Sequence, residues 1–132
     1  MQSLLATPVI GWLALVGLCA AYIQGGLNKV LDFPGAVAEA THFGLPLPPL
    51  AVALTIVLEL GASALILTGL WRWAAALALA VFTLAGALIA NRFWELPHGE
   101  GRSMTANAFF EHLGLIGAFV YVARADILGE AR

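Results

Sequence analysis

The sequence predicts an all-α membrane protein: a transmembrane antiparallel four-helix bundle with a short amphipathic surface helix between spans one and two. Three observations predict it. Of the 132 residues, 61% are apolar and 11% charged, against about 45–50% and about 25% in a soluble domain. The few charges are bunched, which leaves four long runs almost free of them, and the mean hydropathy is +0.92. No ten-residue alternating strands are present, so helix is the structure left that satisfies its own backbone in lipid. One span takes about 20 residues. The chain therefore holds four spans and short connections in one membrane domain over 1–132.

Span one is expected at about 7–28. Residues 1–28 carry no charge, and Pro8 fits a first helical turn, where no N–H is missed. The first basic side chain is Lys29, so the segment lacks a basic n-region and reads as a retained span rather than a cleaved signal peptide. The connection DFPGAVAEATHFGLPLPP follows, with a short surface helix expected over 34–43. Pro46, Pro48 and Pro49 are expected to stop any helix before span two, at about 50–70. Only Trp71-Arg72-Trp73 separates spans two and three, so these must be antiparallel neighbours. Span three is expected at about 73–92. The polar, Gly-rich FWELPHGEGRS then leads to span four at about 104–124. Trp71, Trp73 and Trp94 fall near span ends, where indole favours the interface. The two longer connections share one side of the membrane, where a mouth or lid would be built.

Charge and cysteine exclude several functions. Eight acidic and six basic residues give a net charge of -2 and no basic stripe for nucleic acid. The single Cys19 forms no intrachain disulfide, so thiol exchange would need a partner's thiol. A metal site from His42, Glu59, Glu111 and His112 exists only on paper. No pair among these four shows HxxxH or ExxH spacing, and no metal is expected. Walker, dinucleotide and GxSxG motifs are absent.

The polar residues inside the spans are the functional signal. Glu59 lies about ten residues into span two, near 14 Å deep at about 1.5 Å per residue. An acid at that depth costs a few kcal/mol unless paired, hydrated or protonated. Gln24 and Asn28 sit one turn apart near the outer end of span one, with Lys29 at the rim. Asn91 and Arg92 end span three on the same side. Asn107 and Glu111 lie one turn apart near the start of span four, beside His112. Nearly every intramembrane polar group thus falls in the half of the bundle that carries the long loops.

Two readings of this cluster stand. In one, Glu59 and His112 handle protons, and Gln24, Asn28, Lys29, Arg92, Asn107 and Glu111 contact a ligand. In the other, Glu59 and Glu111 are anchors for Lys29, Arg92 or Arg102, and the amides and His112 hold helices together. Pairs such as Gly17/Ala21 and Gly114/Ala118 have small-x-x-x-small spacing and are packing features.

Together the residues resemble the DoxX family of small four-helix membrane proteins, from about residue 12 to 124. The resemblance rests on YIQGGLNKVLDF, with Gly26 and Lys29 as G-x-x-K, then HFGLPLPP. LELGASALILTGLWRWAA follows, with Glu59, Gly69 and Arg72, then Phe93-Trp94 and FFEHLGLIGAF. It implies a bundle related to membrane redox and quinone-linked proteins, in a family that includes the small subunit of a thiosulfate:quinone oxidoreductase. By position, Lys29, Glu59 and Arg72 fit the pattern. Relatives often carry a basic residue and Asn where this chain has Glu111-His112, and His before Phe-Trp where it has Asn91-Arg92.

The resemblance implies a bacterial-type inner-membrane protein with both termini in the cytoplasm. The basic residues themselves are tied: Arg72, Arg124 and Arg132 on the terminus side against Lys29, Arg92 and Arg102 on the other. The expectation is a redox-associated subunit whose polar pocket holds a quinone head group or a small sulfur species. It would contact the lipid bilayer, a membrane or peripheral redox protein, and further copies of itself. The alternatives are a non-enzymatic scaffold or assembly subunit that recruits a partner through 29–49 and 93–103, and a small-solute transporter built from a homo-oligomer.

Overall fold

The computed structural model describes residues 1–130. They form helices α1 (Gln2–Leu5), α2 (Pro8–Leu31), α3 (Phe33–His42), α4 (Pro48–Thr68), α5 (Arg72–Ala90) and α6 (Glu100–Ile127), with a 3-10 turn at Phe93–Glu95. No strand occurs among the described residues. Four helices are long and apolar enough to cross a membrane: α2, α4, the stretch from α5 through the 3-10 turn, and α6. The protein is a multi-pass membrane protein, and its outer helix faces contact lipid.

Helix ends differ from the sequence expectation for local reasons. Pro48 and Pro49 do not precede the second span but open it. At the first turn proline's missing N–H leaves no hydrogen bond unmade, and Leu47 in the left-handed region (φ 48°) turns the chain into the helix. The span stops earlier than 70, because Gly69 (φ 83°) caps it. There the Arg72 Nε donates to the Ile66 carbonyl at 2.8 Å and satisfies one of the helix's last carbonyls. α5 ends at Ala90, short of 92. α6 overruns 104–124 at both ends, starting after Gly99 and closing at Leu128. α3 begins one residue before the expected 34, and its cap is the Asp32 carboxylate, which accepts from the Gly35 N–H at 3.1 Å.

The packing order is α2 on α4, α4 on α5 and α5 on α6. α2 and α6 meet through side chains, where the rings of Tyr22 and Phe119 stand edge to face with centroids 5.3 Å apart. The core joins Cys19 and Tyr22 of α2, Ile66 of α4, an Ala75-Ala76-Leu79-Ala80 stripe of α5, and Phe119 and Ala123 of α6. The alanine stripe lets α5 lie close to both neighbours. Close van der Waals packing matters here because lipid gives helices little hydrophobic reason to associate.

Polar ties fix the register. The Trp12 Nε1–H donates to the Leu67 carbonyl at 3.0 Å. The Thr83 hydroxyl donates to the Leu79 carbonyl at 2.6 Å, so the Tyr22 hydroxyl must donate to Thr83. The Trp73 N–H, in the first turn of α5, donates to the buried Asp126 carboxylate at 3.0 Å and ties the end of α6 to the start of α5.

Candidate functional site

Two glycines create the site. Where α2 crosses α4, a Cβ on Gly26 would come within 2.7 Å of the Leu60 side chain. A Cβ on Gly25 would fall 2.8 Å from Glu59 Oε2. The Gly25-Gly26 pair therefore brings the α2 backbone onto the carboxylate. One turn later Lys29 reaches back along its own helix, and its Nζ donates to Glu59 Oε1 at 2.7 Å and to the Gly25 carbonyl at 3.4 Å. Glu59 is 5% exposed, whereas the Lys29 side chain keeps 30% of its surface open. The pair is buried at the acid end and wet at the ammonium end, as a snorkelling lysine near a helix terminus would be.

Two hollows flank this pair and share Lys29, Ala36 and Glu39. The first, about 240 Å³, lies under α3 between the first turns of α4 and the last turns of α5. Its walls are mainly apolar (Ala40, Phe43, Val52, Phe82, Gly86 and Ile89 among them), with Lys29, Glu39 and Thr55 as its polar side chains. The second, about 510 Å³, is a wider groove at the α2–α3 corner that adds Asn28 and Asp32. The Lys29 charge is matched by Glu59, and Asp32 and Glu39 add negative charge at the rim. The surroundings of the hollows are therefore acidic.

The other residues singled out from the sequence do not join this pair. Asn28 lines the wider groove but is exposed, and Gln24, on the same stripe of α2, faces outward. Arg92 lies in the exposed loop, paired with Glu95 at 3.2 Å, and not with Glu111. Asn107 and Glu111 share an outward stripe of α6. His112, about 100° round the helix from Glu111, is half-buried, and its Nδ1–H donates to the Ala108 carbonyl at 2.7 Å. It lines neither hollow. Among the described residues no three of His, Cys, Asp and Glu converge as metal ligands.

Helix phase explains the dispersal. Equal depth puts side chains on one level, but only those on the core-facing stripe meet. On α2 that stripe runs through Tyr22, Gly26 and Lys29, and it passes Gln24 and Asn28 by. Glu39 and Asp126 escaped the sequence reading. The signal for Asp126 is present in the spacing Phe119, Ala123, Asp126, which continues a buried stripe past the expected end of the span.

Comparison with known families falls on the same elements. The family model for DoxX matches residues 11–92, well over half of the chain. This protein belongs to the DoxX family. The matched stretch contains the Gly25-Gly26 crossing, Lys29, Glu59 and Arg72, and it stops short of α6. The chain is also 28% identical over 118 residues to the "Inner membrane protein YphA" of Escherichia coli (strain K12), which covers 89% of this chain and 84% of that protein. No solved structure matches.

Proposed function

We propose that this DoxX-family protein binds a small, neutral, membrane-soluble molecule with a hydrogen-bond-accepting head, of the quinone type, in the hollow beneath α3. It would do so as the membrane subunit of a redox system in the inner membrane, both termini cytoplasmic. The observation that carries this reading is Lys29, held by the buried Glu59 carboxylate, lining a mainly apolar hollow. A pocket of apolar walls with a few placed polar groups suits a ring-shaped ligand. Lys29 can donate a further N–H to a carbonyl oxygen while it stays paired with Glu59. Charge separates the two ligand classes. A sulfur oxyanion would meet an already neutralised lysine and the carboxylates of Glu39 and Asp32, so the neutral quinone is favoured.

The test is binding of a short-tailed benzoquinone to purified protein in lipid nanodiscs, with thiosulfate as competitor. Saturable binding above empty discs is expected, weakened about tenfold or more by Lys29→Met, with no competition from thiosulfate. Absence of saturable binding overturns the reading.

A second reading, a non-enzymatic scaffold with Lys29–Glu59 as an internal clamp, is favoured by the near-complete burial of Glu59. Under it Glu59→Gln lowers yield and stability. Under the first reading Glu59→Gln gives normal yield and altered quinone binding.

A further inference from the structure

The α4–α5 pair is closed at one end and open at the other. Only residues 69–71 join the two helices, so they lie close at that end. Ala62 and Ile66 of α4 and Ala75, Ala76 and Leu79 of α5 fill the space between them there. Toward the loop side, Ala51 of α4 and Ala85, Gly86 and Ala90 of α5 line the hollow beneath α3. Small residues where helices meet in lipid ordinarily let two backbones touch. The Gly26 crossing does so, with Leu60 2.7 Å from an added Cβ, but a Cβ on Gly86 would meet no atom within 4 Å. At this place small residues leave a gap open.

The hollow has two unlike ends. At one it shares Lys29, Ala36 and Glu39 with the polar groove at the α2–α3 corner. At the other its walls are the exposed Phe43, Ala85, Ile89 and Ala90. α5 crosses the membrane, and Ala85 lies about 8 Å inside its loop-side end at about 1.5 Å per residue. That mouth therefore opens sideways into the acyl chains. Both charged residues of the lining, Lys29 and Glu39, stand at the opposite end.

Volume limits what the hollow can enclose. Its 240 Å³ or so exceeds the roughly 150 Å³ that holds a benzene ring and falls short of the roughly 300–1,000 Å³ that encloses a drug-sized molecule. A substituted ring fits, and anything longer stays outside.

Resting on the reading of a quinone-type ligand, we infer that the ligand is a long-tailed membrane quinone that enters sideways, between α5 and the α3–α4 connection. The ring stops at Lys29, and the tail remains in the bilayer. Such a tail exchanges lipid for lipid, so the head supplies the affinity.

The experiment uses the full chain in lipid nanodiscs and two probes. One is a tailless benzoquinone. The other carries a ten-carbon tail with a diazirine on its third carbon from the ring. With concentrations expressed per mole of lipid, the two are expected to bind within about threefold of each other. After irradiation, labels are expected at 43–45 and 85–90, lowered at least tenfold by excess tailless benzoquinone. Labels on Val9 and Leu13, on a lipid face away from the hollow, are expected to be unaffected by that competitor. Displaceable labels at 24–32 instead, or equally at both places, would show the tail leaving through the polar groove and overturn the inference. Saturable binding of the tailless compound without any displaceable label from the tailed one also overturns it, and leaves the quinone reading standing. If neither compound binds saturably, the quinone reading itself fails and this inference falls with it.

Discussion

Replacing Lys29 with methionine removes the ammonium from a carboxylate that has almost no access to water. Breaking a buried ion pair from one side costs about 3–5 kcal/mol. Here the Lys29 side chain is 30% exposed and water can follow it inward, so the expected loss lies at the low end, about 3 kcal/mol. Removing the acid instead, by Glu59→Leu, frees Lys29 to turn outward to solvent and is expected to cost about 1 kcal/mol. The double variant Lys29→Met/Glu59→Leu leaves neither charge stranded and is expected within about 1 kcal/mol of the parent. The assay is reversible unfolding in bicelles, read by far-UV circular dichroism for all four proteins. A coupling of about 3–5 kcal/mol is expected. A coupling below about 0.5 kcal/mol would show that the 2.7 Å contact carries no net energy and would refute the reasoning.

Other substitutions test the frame around the pair. Gly26→Ala, whose Cβ would strike Leu60, and Gly25→Ala, whose Cβ would strike Glu59, are each expected to cost about 2 kcal/mol as the crossing is forced apart. Gly114→Ala, with open space around it, is expected near zero in monomeric protein; equal losses at all three would contradict the close α2–α4 approach. Phe119→Ala opens a void at a side chain with 0% exposure. Its expected cost is about 2–3 kcal/mol, below the ~3–5 of water-soluble cores because the transfer from water is missing. Tyr22→Phe removes one hydrogen bond but leaves Thr83 bonded to Leu79, for an expected loss of about 1 kcal/mol. Asp126→Ala strips the Trp73 N–H of its acceptor. It is expected to cost about 2 kcal/mol and to speed amide exchange in the first turn of α5, and unchanged exchange there would count against the tie.

Much of the fold was legible in the sequence because lipid imposes two severe rules: apolar side chains outward and every backbone bond made within the segment. The charge-free runs and the three-residue Trp71–Trp73 link needed nothing more. Ends were less legible. Proline both stops and starts helices, and only the left-handed turn at Leu47 decides that Pro48 starts one. Of the candidate site, depth was readable and angular phase was not. Glu59 and Lys29 meet because Gly25 and Gly26 bring two backbones together, a tertiary event that the glycines hint at and cannot by themselves locate. Glu111 and His112 stand one residue apart and so look about 100° apart. A list of polar residues at one level therefore overstates what converges. Glu39 could not be placed at the hollow until α3 was seen to fold back over α4.

The most direct test of the central claim is photolabelling in native membranes with a short-tailed azidoquinone, followed by mapping of the modified peptides. The account predicts labels within 36–43, over α3 and the Phe43 that follows it, and 51–55 of α4, lost in Lys29→Met protein that still folds. Labels spread evenly over lipid-facing residues such as Leu54, Val57 and Val81, and indifferent to Lys29, would contradict it.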